Sequence, residues 1–574
     1  MFKHRRFHYS LIVGVAAILH FPNLGAHSLW DVDECINAEA GREMYVSGDW
    51  VVPRFNFRLR DAKPAMLYWL QSMAYAAFGV NEFAARFPSA LAGTIAMLLV
   101  YELGRRLFSA ATGCLASIIF GSAVLVCVIH HAATPDAILL CSIVLVMLAF
   151  WSGYAPESGD GPPRRSWYVP VGAACGLATL AKGPIGVVLP VAVIGAFLLW
   201  QRQLKSLVDR RLFRGIGAFL IVAAPWYVAV TAETQGAWTR GFLMTNNVRR
   251  FLEPMEHHRG PLYFYPLSIA AGFFPWSVFL IPALVRGGRM CWRRWAVTDD
   301  RLVAESLFRP EGEPELGRAP AYRFLFCWAV VYLTFFSAAS TKLPNYVLPL
   351  YPALALLTAR MLVRWQARRV ALSGWLMPAS LSLLAISGAG VAAGFLIAGG
   401  VIALPGVSVP PMPGLGRLAG LGIIPIAGAI VASLYLMLQR RSALVMTTAA
   451  TAVAFAGVLA ALAGVALDDY KDPRRMIETA GACRPDQDIR IASYRFTRPS
   501  LVFYCGREVW NLADESHVIE FLGRPRPSYL FVPETDWHQI RSRHSLRNPV
   551  VARQWDLLLK NHVVVIGTHH EGAE

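Results

Sequence analysis

DVDECINAEAGREMYVSGDWVVPRFNFRLRDAKPAMLYW, residues 31–69, is a long polar stretch set between apolar segments, and its placement decides the fold. It carries an acidic pair, Asp33–Glu34, and a lysine before a proline, Lys63–Pro64. Ahead of it, FKHRRFHY (2–9) is basic and 10–24 is apolar, without a clear small-residue cleavage site. This pattern predicts a retained first span with a cytoplasmic N-terminus. Behind it, 65–78 is fourteen residues long and interrupted by Gln71, short of the roughly 20 residues a helical span needs. If 65–78 crossed, Arg105-Arg106 would fall outside; if it lies along the interface, 83–103 is the second span and that cluster falls inside. Basic loops stay cytoplasmic, so the interfacial placement is chosen.

The rest of the chain then alternates consistently. Of its 574 residues 55% are hydrophobic, 12% aromatic and 16% charged, with mean hydropathy +0.44. Globular chains carry about 25% charged residues, so this is a polytopic α-helical membrane protein with a small soluble part. The formal charge of +17 sits in short clusters between apolar runs, which is a topological signal and argues against nucleic-acid binding. Spans are expected near 110–130, 136–151, 167–181, 184–200, 213–231, 262–285, 322–338, 345–363, 371–400, 418–438 and 443–466. With the first two that makes thirteen, the N-terminus inside and the C-terminus outside. The large outer loops are 26–82 and 232–262, and 1–467 forms the membrane domain.

From 468 to 574 the apolar runs shorten, and a small mixed α/β domain is expected on the outer face. Strands are read at 489–496, 500–504, 529–532 and 563–566, helices at 515–522 and 536–543. Nine cysteines are scattered without a CxxC pair; Cys483 and Cys505 could pair in an oxidising compartment, though spacing alone does not fix the geometry. The Gly/Pro-rich run 401–416 is a loop, and no internal repeat is evident.

This topology gathers Asp33, Glu34, Lys63, Asp136, Lys182, His257, His258, Arg259 and Lys342 outside or at the outer ends of spans. Charges at a span are costly unless paired or wet, so several at one depth suggest one cavity. Residues 31–47 read as an interfacial helix, capped by Asp31, ended by Gly48, with Ile36, Ala40 and Met44 as its apolar stripe. Asp33 and Glu34 in its first turn either complement the helix dipole or serve an acceptor group. Lys63 with Pro64 opens a second interfacial helix, a ready anion site or a plain snorkelling lysine. Lys182 in LAKGP and Lys342 in STKLPNY are each ordinary anchors singly. Together with Arg259 they could line a phosphate cradle. The pair His257-His258 has weak metal specificity, since adjacent residues seldom share one ion, and Asp136 in ATPD doubles as a helix cap.

Taken together, DVDE (31–34), REM..SGDWVVP (42–53), KP..YW (63–69), TPDA (134–137), LAKGP (180–184), EHHRGPLYFY (256–265) and TKLPNYVLPLYP (341–352) carry a resemblance. The chain resembles the bacterial aminoarabinose transferases that modify lipid A and, more widely, the protein O-mannosyltransferase-like GT-C glycosyltransferases. The resemblance implies a polyprenyl-phosphate sugar donor, such as an undecaprenyl phosphate, and work at the periplasmic face of the bacterial inner membrane. It implies Asp33 as catalytic aspartate, Lys63 as donor-phosphate ligand, and Asp136, Lys182, Lys342 and Tyr346 as cavity positions. It also allows a divalent metal (Zn, Mg or Mn) at His257 or His258. Two departures bear on this: Ala62 stands where the aminoarabinose enzymes read Glu before Lys-Pro, leaving Asp61 as substitute, and Ile36 replaces a common arginine.

The expected function is an inverting glycosyl transfer from a polyprenyl phosphate to a lipid, glycan or protein acceptor, amid membrane lipids. Asp33 and Glu34 serve the acceptor, and Lys63 helped by Arg259, Lys182 and Lys342 serves the departing phosphate. A transporter or flippase is the alternative, but such folds commonly show repeats and midplane charges, and neither is evident.

Overall fold

The computed structural model describes residues 2–154, 167–253, 260–261, 263–292, 318–403, 412–468, 474–482, 488–524, 526–556 and 559–568. His257, His258, Arg259 and Cys483 lie outside these described residues, as do 293–317 and part of 401–416.

Among the described residues the α-helices up to Glu233 are α1 (Phe2–His20), α2 (Asp33–Ser47), α3 (Met66–Phe78), α4 (Glu82–Leu107), α5 (Ala110–Gly121), α6 (Val124–His130), α7 (Pro135–Tyr154), α8 (Tyr168–Lys182), α9 (Ile185–Trp200) and α10 (Arg211–Glu233). Eight described helices are long and apolar enough to cross a bilayer, ten if two bent pairs each count once. The thirteen-residue α3 is not among them; it packs beside α2 and α4.

The bent pairs depart from the straight spans expected at 110–130 and 262–285. α5 and α6 meet at 68°, and Phe264–Gly272 meets Trp276–Trp292 at 113°. The two breaks face each other: Val124 N–H donates to the Phe274 carbonyl at 3.1 Å, and Trp276 Nε1 donates to Ser122 Oγ at 2.9 Å. Backbone groups freed by a break inside the apolar layer must be satisfied by protein, and each break here satisfies the other.

α2 is not a surface helix with one apolar stripe. Glu34, Cys35, Asn37, Ala38, Glu39, Ala40, Glu43 and Met44 are all buried, so both faces are covered. Gly48 ends it as expected, at φ 71 with its N–H on the Met44 carbonyl. Asp31 does not cap it. The cap position is Val32, and the Asp31 carboxylate instead accepts from Ser500 N and Ser500 Oγ, both at 3.0 Å. Glu39 is held by Arg42 at 2.7 and 2.6 Å, yet burial pushes its carboxyl up to about 8.

Two short strands, β1 (Arg54–Phe55) and β2 (Arg58–Leu59), form a hairpin after α2. The chain's last hundred residues hold β3 (Arg490–Tyr494), β4 (Val509–Leu512), β5 (Ser528–Pro533), β6 (Val550–Asp556) and β7 (Asn561–Gly567). They form one mixed sheet in the order β4-β3-β5-β7-β6. β4-β3-β5 is parallel, and β5-β7-β6 antiparallel. The strand expected at 500–504 is instead a helix, Pro499–Cys505, closed by Gly506 at φ 63. Its apolar run is buried on two sides: Leu501 and Val502 join the sheet core, and Phe503 joins Leu29, Cys35 and Ala38 beside α2. Burial on both faces erases the periodicity that separates a short helix from a strand.

Candidate active site

Three local sequences aim polar groups at one space. In TPDA, Pro135 opens α7 and places Asp136 in its first turn, where a carboxylate suits the helix dipole. In LAKGP, Lys182 ends α8, and Gly183 turns the chain at φ 85, where a side chain would strike the Phe242 ring. In KLPNY, Pro344 begins a 3-10 segment, Pro344–Leu350, carrying Asn345 and Tyr346.

Together with the Lys63 loop, these elements wall a cavity of about 620 Å3. Its polar lining includes Lys63, Asp136, Lys182, Arg250 and Asn345, and the rest is mainly apolar, from Leu139, Ile185, Phe242, Phe251 and Phe336 among others. Asp136 pairs with Lys182 through one oxygen and accepts from Asn345 Nδ2 through the other at 3.3 Å. Lys182 Nζ sits 5.5 Å from the centre of the Tyr346 ring. Lys63 is reachable from the cavity but surrounded by protein. Burial, with Lys182 and Arg250 nearby, pushes its ammonium down to about 7. One wall of the cavity is a π-helical turn, Gly241–Arg249, in which Asn246 and Asn247 side chains reach back to the Gly241 and Phe242 carbonyls at 3.2 and 2.8 Å.

Of the residues expected to act, Lys63, Asp136, Lys182 and Tyr346 thus converge. Lys342 does not join them: it is buried, donates to the Ser337 carbonyl at 2.7 Å and lies 5.6 Å from the Tyr265 ring. Glu34 does not face an acceptor. It is 1% exposed and paired with Arg86 at 2.8 and 2.9 Å, and it accepts from Trp30 N and Ala133 N at 2.8 and 2.7 Å. Burial alone would raise this carboxyl, but Arg86 and the two amides hold it below its ordinary range. Glu34 therefore braces α2 against α4. Asp33 is exposed on the first turn of α2. One turn further along, Asn37 donates to the Ala133 carbonyl and accepts from Arg60. Asp33 is not among the residues that line the cavity.

Asp61 lies against Gly241, and its carbonyl accepts from Asn246 Nδ2 at 3.4 Å. Among the described residues no three His, Cys, Asp or Glu side chains are placed to share a metal.

Arg250, Asn345, Arg60 and Arg86 escaped the sequence reading. Arg86 had a signal, since a charge inside the expected span 83–103 demands a partner. Asn345 and Arg250 had none beyond neighbours already singled out.

The architecture matches a known class. ArnT from Cupriavidus metallidurans bound to undecaprenyl phosphate superposes with a TM-score of 0.78 at 23% identity, covering 98% of this chain and 99% of that one. Its apo form gives 0.76. The chain is a multi-pass helical membrane protein with this GT-C fold. Residues 62–228 match the family described as dolichyl-phosphate-mannose-protein mannosyltransferase, a span that includes Lys63, Asp136 and Lys182.

In sequence the chain is similar to undecaprenyl phosphate-alpha-4-amino-4-deoxy-L-arabinose arabinosyl transferases. That of Erwinia tasmaniensis is 32% identical over 344 residues, 60% of this chain and 57% of that protein. That of Pseudomonas paraeruginosa is 31% identical over 392 residues, 67% and 65%. The chain thus matches somewhat under two thirds of these relatives' length.

Proposed function

We propose that this protein is an integral-membrane glycosyltransferase that moves one sugar from a polyprenyl-phosphate carrier to an envelope acceptor, a lipid A-like lipid, a glycan or a protein. The observation that carries the reading is the cavity: an apolar hollow of about 620 Å3 with Lys63, Lys182 and Arg250 against the carboxylate of Asp136. Such a lining suits a greasy chain with an anionic head. On this reading the chain crosses the inner membrane thirteen times with its N-terminus cytoplasmic. Residues 1–467 form the catalytic membrane domain, and 468–574 form a periplasmic domain.

The chemistry is a single displacement. An acceptor oxygen forms a bond to the anomeric carbon as the carbon–oxygen bond to phosphate breaks, inverting that centre. The donor phosphodiester carries one negative charge, and the released monoester about −1.5 to −2 at pH 7. Negative charge therefore grows on the phosphate in the transition state, where Lys63 and its cationic neighbours stabilise it more than in the ground state. Asp136 holds Lys182 in place. Asp33 orients the acceptor and takes its proton.

Asp33→Asn should lower transfer by about 10²–10⁴-fold without lowering protein level; activity within a few fold of the parent would remove Asp33 from the mechanism. The reading as a whole is tested by incubating purified protein with polyprenyl-phosphate sugars and acceptors and detecting released polyprenyl phosphate. Release dependent on an acceptor supports it. Movement of the intact lipid across vesicles without release would overturn it.

A further inference from the structure

The β1–β2 hairpin turns on two residues, Asn56 and Phe57, with φ of 53° and 61°. Two-residue hairpins of this kind favour Asn at the first position and glycine at the second. A bulky side chain with positive φ is a genuine outlier, held only where its surroundings over-determine it. Here they do so from both sides. The Phe57 N–H donates to both oxygens of Glu43 on α2, each at 3.1 Å. Asn56 is almost fully buried, and its carboxamide acts as one more strand residue on the open edge of the C-terminal sheet. Its Nδ2 donates to the Val509 carbonyl and its Oδ1 accepts from Val509 N–H, both at 2.9 Å. Phe57 is 52% exposed, so packing of its ring does not explain the conformation.

The turn leads directly into the cavity loop. Arg60 N–H donates to the Pro53 carbonyl at 2.9 Å, closing the hairpin. The Arg60 carbonyl accepts from Trp238 Nε1 at 2.9 Å, and its guanidinium reaches Tyr68 OH at 2.9 Å and Asn37 Oδ1 at 3.2 Å. Lys63 comes three residues later. The path from the sheet edge to the cavity therefore runs through a strained turn and a tied arginine, with no free segment between.

We propose that Asn56 is a positioning residue through which the edge of the C-terminal sheet sets the placement of Lys63 in the cavity. This rests on the reading of Lys63 as a donor-phosphate ligand. Without the Val509 bonds, the hairpin relaxes away from its left-handed turn, and the loop carrying Lys63 loses its fixed start.

The test is a double-mutant cycle on the full-length protein in nanodiscs, with undecaprenyl phosphate as probe and melting temperature recorded for each variant. Lys63→Ala should weaken binding by about ten- to a hundredfold, the range for a hydrogen bond to a charged group. Asn56→Ala should weaken it by roughly fivefold or more in the parent, and by less than about twofold when Lys63 is already alanine. Equal losses in both backgrounds would overturn the positioning role while leaving the cavity assignment standing. A neutral Lys63→Ala would overturn the cavity assignment itself, and this proposal with it. Should Asn56→Ala fail to fold, Val509→Pro removes one of the two bonds from the opposite side, at an edge strand where proline is tolerated. It should show the same dependence on Lys63, and additive losses there would overturn the proposal equally.

Discussion

Lys63→Met is expected to slow glycosyl transfer by roughly 10²–10³-fold, the scale on which removing one preorganised charge-stabilising donor acts. Methionine keeps most of the apolar stem and loses only the ammonium, so the cavity keeps its shape. The pH dependence separates this from a packing defect. Burial, with Lys182 and Arg250 close by, leaves Lys63 near neutrality at about 7 rather than at 10.5. An arriving phosphate dianion restores its proton, so binding takes up a proton above pH 7. Affinity for undecaprenyl phosphate should therefore fall as pH rises above about 7, by up to about tenfold per unit. In Lys63→Met that fall should vanish, and an unchanged slope would mean that another group holds the proton. Stability of the ligand-free protein runs the other way. The folded-state pKa of Lys63 is depressed, so the unfolded chain holds more protons between about 7 and 10.5. Over that window its contribution rises with pH, while below 7 the cost of burying a charged lysine is fully present.

Arg86→Ala is expected to be the most damaging single change to folding. The pair with Glu34 has 0% and 2% of its side chains exposed. The guanidinium also donates to the carbonyls of Leu24, His27 and Ser28 at 2.9, 2.9 and 2.8 Å. Its removal leaves a buried carboxylate without its counter-ion and takes a donor from each of three carbonyls at once. Breaking a buried pair from one side costs about 3–5 kcal/mol, comparable with much of a domain's net stability. The expected result is loss of monodisperse protein in detergent. Arg86→Ala with Glu34→Gln should recover part of it, because the orphaned charge is gone. If the double variant is no better than the single, the carbonyl contacts matter more than the ion pair.

The sequence made the helical membrane plan legible because hydropathy and loop charge act over whole segments. It made Lys63, Asp136 and Lys182 legible because each sits beside a proline or glycine that marks a helix end. Pairing was not legible. Glu34 looked as available as Asp33, its neighbour, yet a helix turns about 100° per residue, and that step carries Glu34 inward to Arg86, 52 positions away. Lys342 and Lys182 had similar contexts, and only the fold shows that one meets the Ser337 carbonyl and the other Asp136. The double burial of α2 was hidden for a related reason. Its second covering comes from residues such as Phe503 and Tyr504, beyond the reach of any local pattern.

That second covering also imposes an order on biosynthesis. Asp31 and Ser500 are 469 residues apart, and Asn56 and Val509 are 453 apart. While the chain is being made, α2 and the hairpin emerge among the first sixty residues and must wait for nearly all the others before their outer partners exist. A ribosome stalled between the last long helix, Arg441–Ala466, and β4 leaves behind a protein with its described long helices made and α2 and the hairpin without these partners. Activity, on this plan, arrives last and all at once, after the membrane has already accepted the chain.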